Sequence, residues 1–170
     1  MGMQILFVLL FAGNLLALWA VILMKKCGWY RFAGYWLLLV IPLLTVFFDQ
    51  PRFELDYYWW KIAGAAAIVA GTALGLWAKR ENRSWVETRP QDLVIAGPYQ
   101  YFRHPIYLGL IFIIVGWWWL WAAVYSFYFG MLILALIWIN AYLEEKLILE
   151  QQFAGKYQEY KTQTGMFWVK

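Results

Sequence analysis

The chain has 170 residues, 64% of them hydrophobic and 14% charged, with thirteen tryptophans and a formal net charge of +4. So little polar surface cannot coat a water-soluble globule of this size, which points instead to an all-α integral membrane protein. The basic residues are spread over separate segments with no nucleic-acid reading module, and one cysteine (Cys27) with one histidine (His104) allows neither an internal disulfide nor a His/Cys zinc cluster.

Five apolar runs, at about 3–24, 33–48, 59–78, 106–121 and 123–142, predict five transmembrane helices. Each is long enough to cross roughly 30 Å of hydrocarbon, the second only just. The first run has no basic segment before it and Lys25-Lys26 behind it, so it reads as a retained span rather than a cleaved signal peptide. Lys25, Lys26 and Arg31 follow the first span. Lys79, Arg80, Arg83, Arg89 and Arg103 follow the third, and Lys146, Lys156, Lys161 and Lys170 the fifth. Only Arg52 and Lys61 lie opposite. The positive-inside rule therefore predicts the N-terminus out and the C-terminus cytoplasmic, with residues 79–105 and 143–170 on the same face.

Residues 1–78 read as N-terminal transmembrane helices and residues 79–170, the loop, helical hairpin and C-terminal helix that carry most of the polar residues, as the functional region of a single membrane domain. The first two spans carry no ionisable side chain and read as a packing element, with Pro42 placed where proline kinks a helix. In the third span Gly64, Ala67, Gly71, Gly75 and Ala78 form a stripe of small residues that lets helices approach closely. The Gly71–Gly75 segment is not a dinucleotide loop, because no strand precedes it. A polar run from Lys79 to Asp92 follows, either a solvated connector or a cover for a polar ligand at the membrane surface.

Next comes Gly97-Pro98-Tyr99-Gln100-Tyr101-Phe102-Arg103-His104-Pro105-Ile106-Tyr107. Pro105 predicts a helix start, and His104 before it is pushed out of the α region. The first-turn amides have no intrahelical carbonyl and, with Arg103 and His104, can face an anionic group. The plainer alternative is an interfacial anchor within an aromatic belt. The fourth and fifth runs then form a tight hairpin. Beyond them Glu145, Leu149, Phe153, Tyr157 and Tyr160 share one helix face, while Glu144, Lys146, Glu150, Gln151 and Lys156 fall elsewhere. A carboxylate leading an apolar stripe is costly to bury without a partner, so Glu145 is the functional candidate and Glu144 its solvated neighbour. Two ordinary interfacial charges are the alternative.

Tyr99, Arg103-His104-Pro105-Ile106-Tyr107, Glu144-Glu145 and Phe153-Ala154-Gly155-Lys156-Tyr157-Gln158-Glu159-Tyr160 together resemble the isoprenylcysteine carboxyl methyltransferase family and its phospholipid-methyltransferase relatives. The likeness covers residues 91–165. It implies S-adenosylmethionine as cofactor, held by Gln91, Asp92, Leu93, Val94, Tyr99, His104, Pro105, Ile106, Tyr107 and Glu145. It also implies the lipid bilayer and a lipophilic, lipid or prenylated substrate as partners, and an integral, multi-pass location: the inner membrane of a bacterium or the endoplasmic reticulum of a eukaryote. The active site would face the cytoplasm.

Such a cofactor carries its own leaving group, so the protein need only align the acceptor and exclude water, with Arg103, His104 and Glu145 positioning. Tyrosine faces suit its sulfonium, His104 and the amides after Pro105 its carboxylate, and Glu145 its amino group or ribose. The family's prenylcysteine methyltransferases place an arginine about one turn before the matched glutamate. Here Ile139-Asn140-Ala141-Tyr142 stands there, leaving Asn140 or Arg103 for the substrate. Isoprenylcysteine carboxyl O-methylation is the leading expectation. Phospholipid N-methylation, thiol S-methylation, an NADPH-dependent membrane reductase and a non-enzymatic scaffold are the alternatives.

Overall fold

The computed structural model describes residues 43–48, 50–54, 58–82 and 92–170, with Ile5, Leu9, Ala12, Gly13, Leu16 and Val40. Most of the first expected span, most of the second with Pro42, Cys27 and the polar run from 83 to 91 lie outside the described residues. The long helices are α1 (Trp59–Glu81), α2 (Pro105–Trp121), α3 (Val124–Glu144) and α4 (Glu150–Gln163). A five-residue π-helical turn, Glu145–Leu149, joins α3 to α4. Single 3₁₀ turns occur at Thr45–Phe47 and Gly97–Gln100. Among the described residues there is no strand, so the all-α expectation holds.

Two helical runs are long and apolar enough to cross a membrane, Trp59–Glu81 and Val124–Gln163, whereas Pro105–Trp121 is a shorter apolar helix of 17 residues. The first 20 residues of the second run carry no charge before Glu144. Helix α2 starts at Pro105, as the missing N–H and fixed φ of proline dictate.

The chain divides into two compact units, residues 1–67 with 114–136, and residues 68–113 with 137–170. In the first, Ala122 takes a left-handed backbone (φ 49°) and with Ala123 turns α2 into α3. Arg52 Nη1 donates to the Trp121 carbonyl at 2.6 Å, and its Cζ lies 5.6 Å from the Trp121 ring centroid, capping α2. The Ser126 amide donates to Gln50 Oε1 at 2.9 Å, closing an otherwise open amide at the start of α3. Gly64 sits where a Cβ would lie 2.8 Å from the Gly116 carbonyl oxygen.

In the second unit the small-residue stripe continues as expected. A Cβ on Gly71 would lie 2.5 Å from the Gly109 carbonyl oxygen, and one on Gly109 2.6 Å from that of Gly71. Backbones this close require glycine on both sides. The same site at Gly75 is open, with nothing within 4 Å. Gly71→Val is therefore expected to cost about 1–3 kcal/mol by forcing α1 and α2 apart. Gly75→Ala should leave thermal unfolding of the detergent-solubilised protein unchanged or slightly raised.

Candidate functional site

The site is assembled within the second unit from the segment before α2, the π turn and the chain's last residues. Gly97 adopts φ +60°, a conformation that favours glycine, and a Cβ there would meet the Glu81 side chain at 2.6 Å. The turn that follows buries Pro98 and Tyr99. Asn82 Nδ2 donates to the Tyr99 hydroxyl at 3.2 Å. Burial pushes that phenol up to about 12, against the pull of the Asn82 hydrogen bond, so Tyr99 stays neutral.

Residues 102–104 lie alongside the tail. Phe102 bridges Gly165 in parallel, the Arg103 amide donates to the Gly165 carbonyl at 2.9 Å, and the His104 amide to that of Met166 at 3.3 Å. Non-helical backbone before Pro105 is thus paired outside the helix. These bonds aim both side chains at Glu145, which is 1% exposed. Arg103 Nε donates to Glu145 Oε1 at 2.7 Å, and Arg103 Nη1 donates to the Thr164 carbonyl. His104 Nε2 lies 3.2 Å from the same Glu145 oxygen, and Lys161 Nζ 3.3 Å from Oε2. Burial alone would raise the Glu145 pKa. The hydrogen bonds and charges of His104 and Arg103 outweigh it and hold the carboxyl at about 2.

A second polar chain starts from buried Asn140. Its Nδ2 donates to the Tyr107 hydroxyl at 2.7 Å, and that hydroxyl donates to Glu144 Oε2 at 3.0 Å. Glu144 is thus half-buried and orients Tyr107, which corrects its reading as a merely solvated neighbour. The two adjacent glutamates serve two different clusters. A π turn beginning at Glu145 changes the helical register there, a feature common at functional positions.

The expected stripe is buried or half-buried at Glu145, Leu149, Phe153, Tyr157 and Tyr160. Pro105 and Tyr107 are buried and Ile106 half-buried around the cluster's helix start. Leu93 and Val94 are half-buried. Asp92 is exposed, with Lys156 Nζ 4.0 Å away, and is not brought to Glu145. Gln91 lies outside the described residues. Sequence reasoning passed over Lys161, although a basic residue directly after the last tyrosine of a buried stripe is a usable signal. It also passed over the Thr164, Gly165 and Met166 carbonyls, which no side-chain pattern announces.

The cluster offers one carboxylate, a guanidinium, an imidazole, an ammonium and several phenols. Such a set suits a small ligand carrying charges of both signs. Glu145→Ala leaves Arg103 and Lys161 facing a cavity and is expected to cost about 3–5 kcal/mol. Because the folded-state pKa lies below the ordinary 4.5, the contribution of Glu145 is full above about pH 5 and fades as pH falls from 4.5 towards 2. Unfolding followed against pH should show the difference between wild type and Glu145→Gln shrinking over that range.

No curated protein and no solved structure matches the chain. The phospholipid methyltransferase family matches residues 59–156, a span that contains α1, α2, α3, the Arg103–Glu145 pair and the Tyr107–Asn140–Glu144 chain. That match covers more than half of the sequence, and the chain belongs to the phospholipid methyltransferase family, a family of membrane methyltransferases.

Proposed function

We propose that the protein is an S-adenosylmethionine-dependent methyltransferase embedded in a membrane by five spans, with the site on the cytoplasmic face and a lipid as acceptor. The observation that carries this reading is the buried Glu145 carboxylate, held ionised by Arg103 and His104 inside the stretch that the family match covers and met by Lys161 just beyond it. The mixed donor and acceptor set fits an amphoteric cofactor: Glu145 for its amino group or ribose hydroxyls, His104 and the amides after Pro105 for its carboxylate, and Tyr99 and Tyr107 for apolar and cationic surfaces. The bound cofactor would supply an electrophilic methyl group on sulfonium. The residues of this chain bind, orient and keep water out.

The acceptor reading moves from a carboxylate towards an amine. Methylating a carboxylate calls for a cation where Asn140 stands. Arg103 is already committed to Glu145 and the Thr164 carbonyl, and Lys146 to Glu150 at 3.1 Å. An amine on a phospholipid headgroup needs no clamp, only loss of a proton from nitrogen and a neutral hydrogen-bonding wall. Asn140 and Tyr107 supply that wall.

Thermal unfolding of the purified protein with S-adenosylmethionine, S-adenosylhomocysteine and NADPH tests the cofactor, since a ligand that binds only the folded state raises its stability. A rise with the two adenosyl compounds and none with NADPH is expected, weakened at least tenfold in His104→Ala. A rise with NADPH alone would assign the chain to reductase chemistry, and no rise at saturation would leave a scaffold.

A further inference from the structure

The Tyr157 hydroxyl is the donor that the Glu145 cluster leaves over. Tyr157 is 1% exposed, and its hydroxyl, although near Glu145, makes no well-formed hydrogen bond among the described residues. Burial, then the nearby Glu145 charge and the approach of the hydroxyl to that carboxylate, outweigh the opposing Arg103 charge and push its pKa up, so it is a neutral phenol with a proton to donate. The two oxygens of Glu145 already receive Arg103 Nε, His104 Nε2 and Lys161 Nζ. Glu150, the next carboxylate, is held by Lys146 and Lys161. Tyr160, one turn further on, differs sharply: its hydroxyl donates to the Tyr99 carbonyl at 2.5 Å. Buried hydroxyls in folded proteins are nearly always paired, and an exception at a polar cluster points to a partner that the chain itself does not provide. Arg103, His104 and Lys161 already fill the two oxygens of Glu145, so the missing partner is a further oxygen, and beside Arg103 and Lys161 an anionic one fits best.

We propose that Tyr157 is a further ligand-binding residue, donating its hydroxyl to an anionic oxygen of the molecule bound beside Glu145. The proposal rests on the ligand reading given above. Two sources carry that chemistry: the α-carboxylate of the cofactor and the phosphate of a lipid acceptor.

Isothermal titration of the full-length, detergent-solubilised protein separates them, using S-adenosylhomocysteine, 5′-methylthioadenosine, which lacks the amino-acid end, and dioctanoyl phosphatidylethanolamine. Tyr157→Phe is expected to keep the melting temperature of the ligand-free protein at or above wild type while weakening one anionic ligand about tenfold. Weaker S-adenosylhomocysteine with unchanged 5′-methylthioadenosine assigns the oxygen to the cofactor carboxylate, and weaker lipid alone assigns it to the phosphate. Tyr160→Phe, which removes an internal hydrogen bond, should lower the melting temperature and serves as the contrast. A comparable fall for Tyr157→Phe, or unchanged affinity for all three ligands, overturns the proposal. If the wild type binds neither adenosyl compound, the cofactor reading fails by itself, and the lipid titration still decides the role of Tyr157.

Discussion

One buried carboxylate organises the chemistry of this chain. Glu145 sits at the junction of α3 and α4, and three basic side chains from two distant stretches converge on it: Arg103 and His104 before α2, and Lys161 near the end of α4. Burying an ion is unfavourable unless its lone pairs are filled, and here both oxygens are. The ion pair therefore links the Arg103-His104-Pro105 segment to a helix more than forty positions later. The Thr164, Gly165 and Met166 carbonyls fasten the same segment to the end of the chain.

Geometry around the pair divides labour between neighbours. Glu145 faces the cations, while Glu144, one residue earlier, receives Tyr107, which in turn receives Asn140. Consecutive helical residues point about 100° apart, so adjacent carboxylates are suited to two separate networks. The π turn that begins at Glu145 and the non-helical Ala154 (φ 42°, ψ −118°) then re-aim the rest of α4 so that Tyr157 and Tyr160 are both buried. A straight α-helix would carry the stripe steadily around the axis. These two irregularities adjust its register.

Much of this was legible in the residues. Pro105 marked the start of α2, the short link between apolar runs marked the α2–α3 turn, and the period of Glu145, Leu149, Phe153, Tyr157 and Tyr160 marked the buried face. Those signals are local, set by a ring that fixes φ or by a repeat of known period. The π turn and the Ala154 irregularity were not legible, because their residues are ordinary helix formers and packing decides the change. Nor were the Gly165 and Met166 carbonyl contacts, since a backbone acceptor looks the same at every position. Glu144 was misjudged because periodicity measures distance from the stripe and is blind to a tyrosine reaching in from another helix.

The central claim is that this cluster serves methyl transfer to a membrane lipid. Its most direct test is transfer of labelled methyl from S-adenosylmethionine by the purified protein in vesicles containing phosphatidylethanolamine, followed by extraction of the lipid. Label in the lipid fraction, lost in folded Glu145→Gln protein, is the predicted result. A wild-type protein that binds the cofactor yet labels no amine, thiol or carboxylate lipid would contradict it.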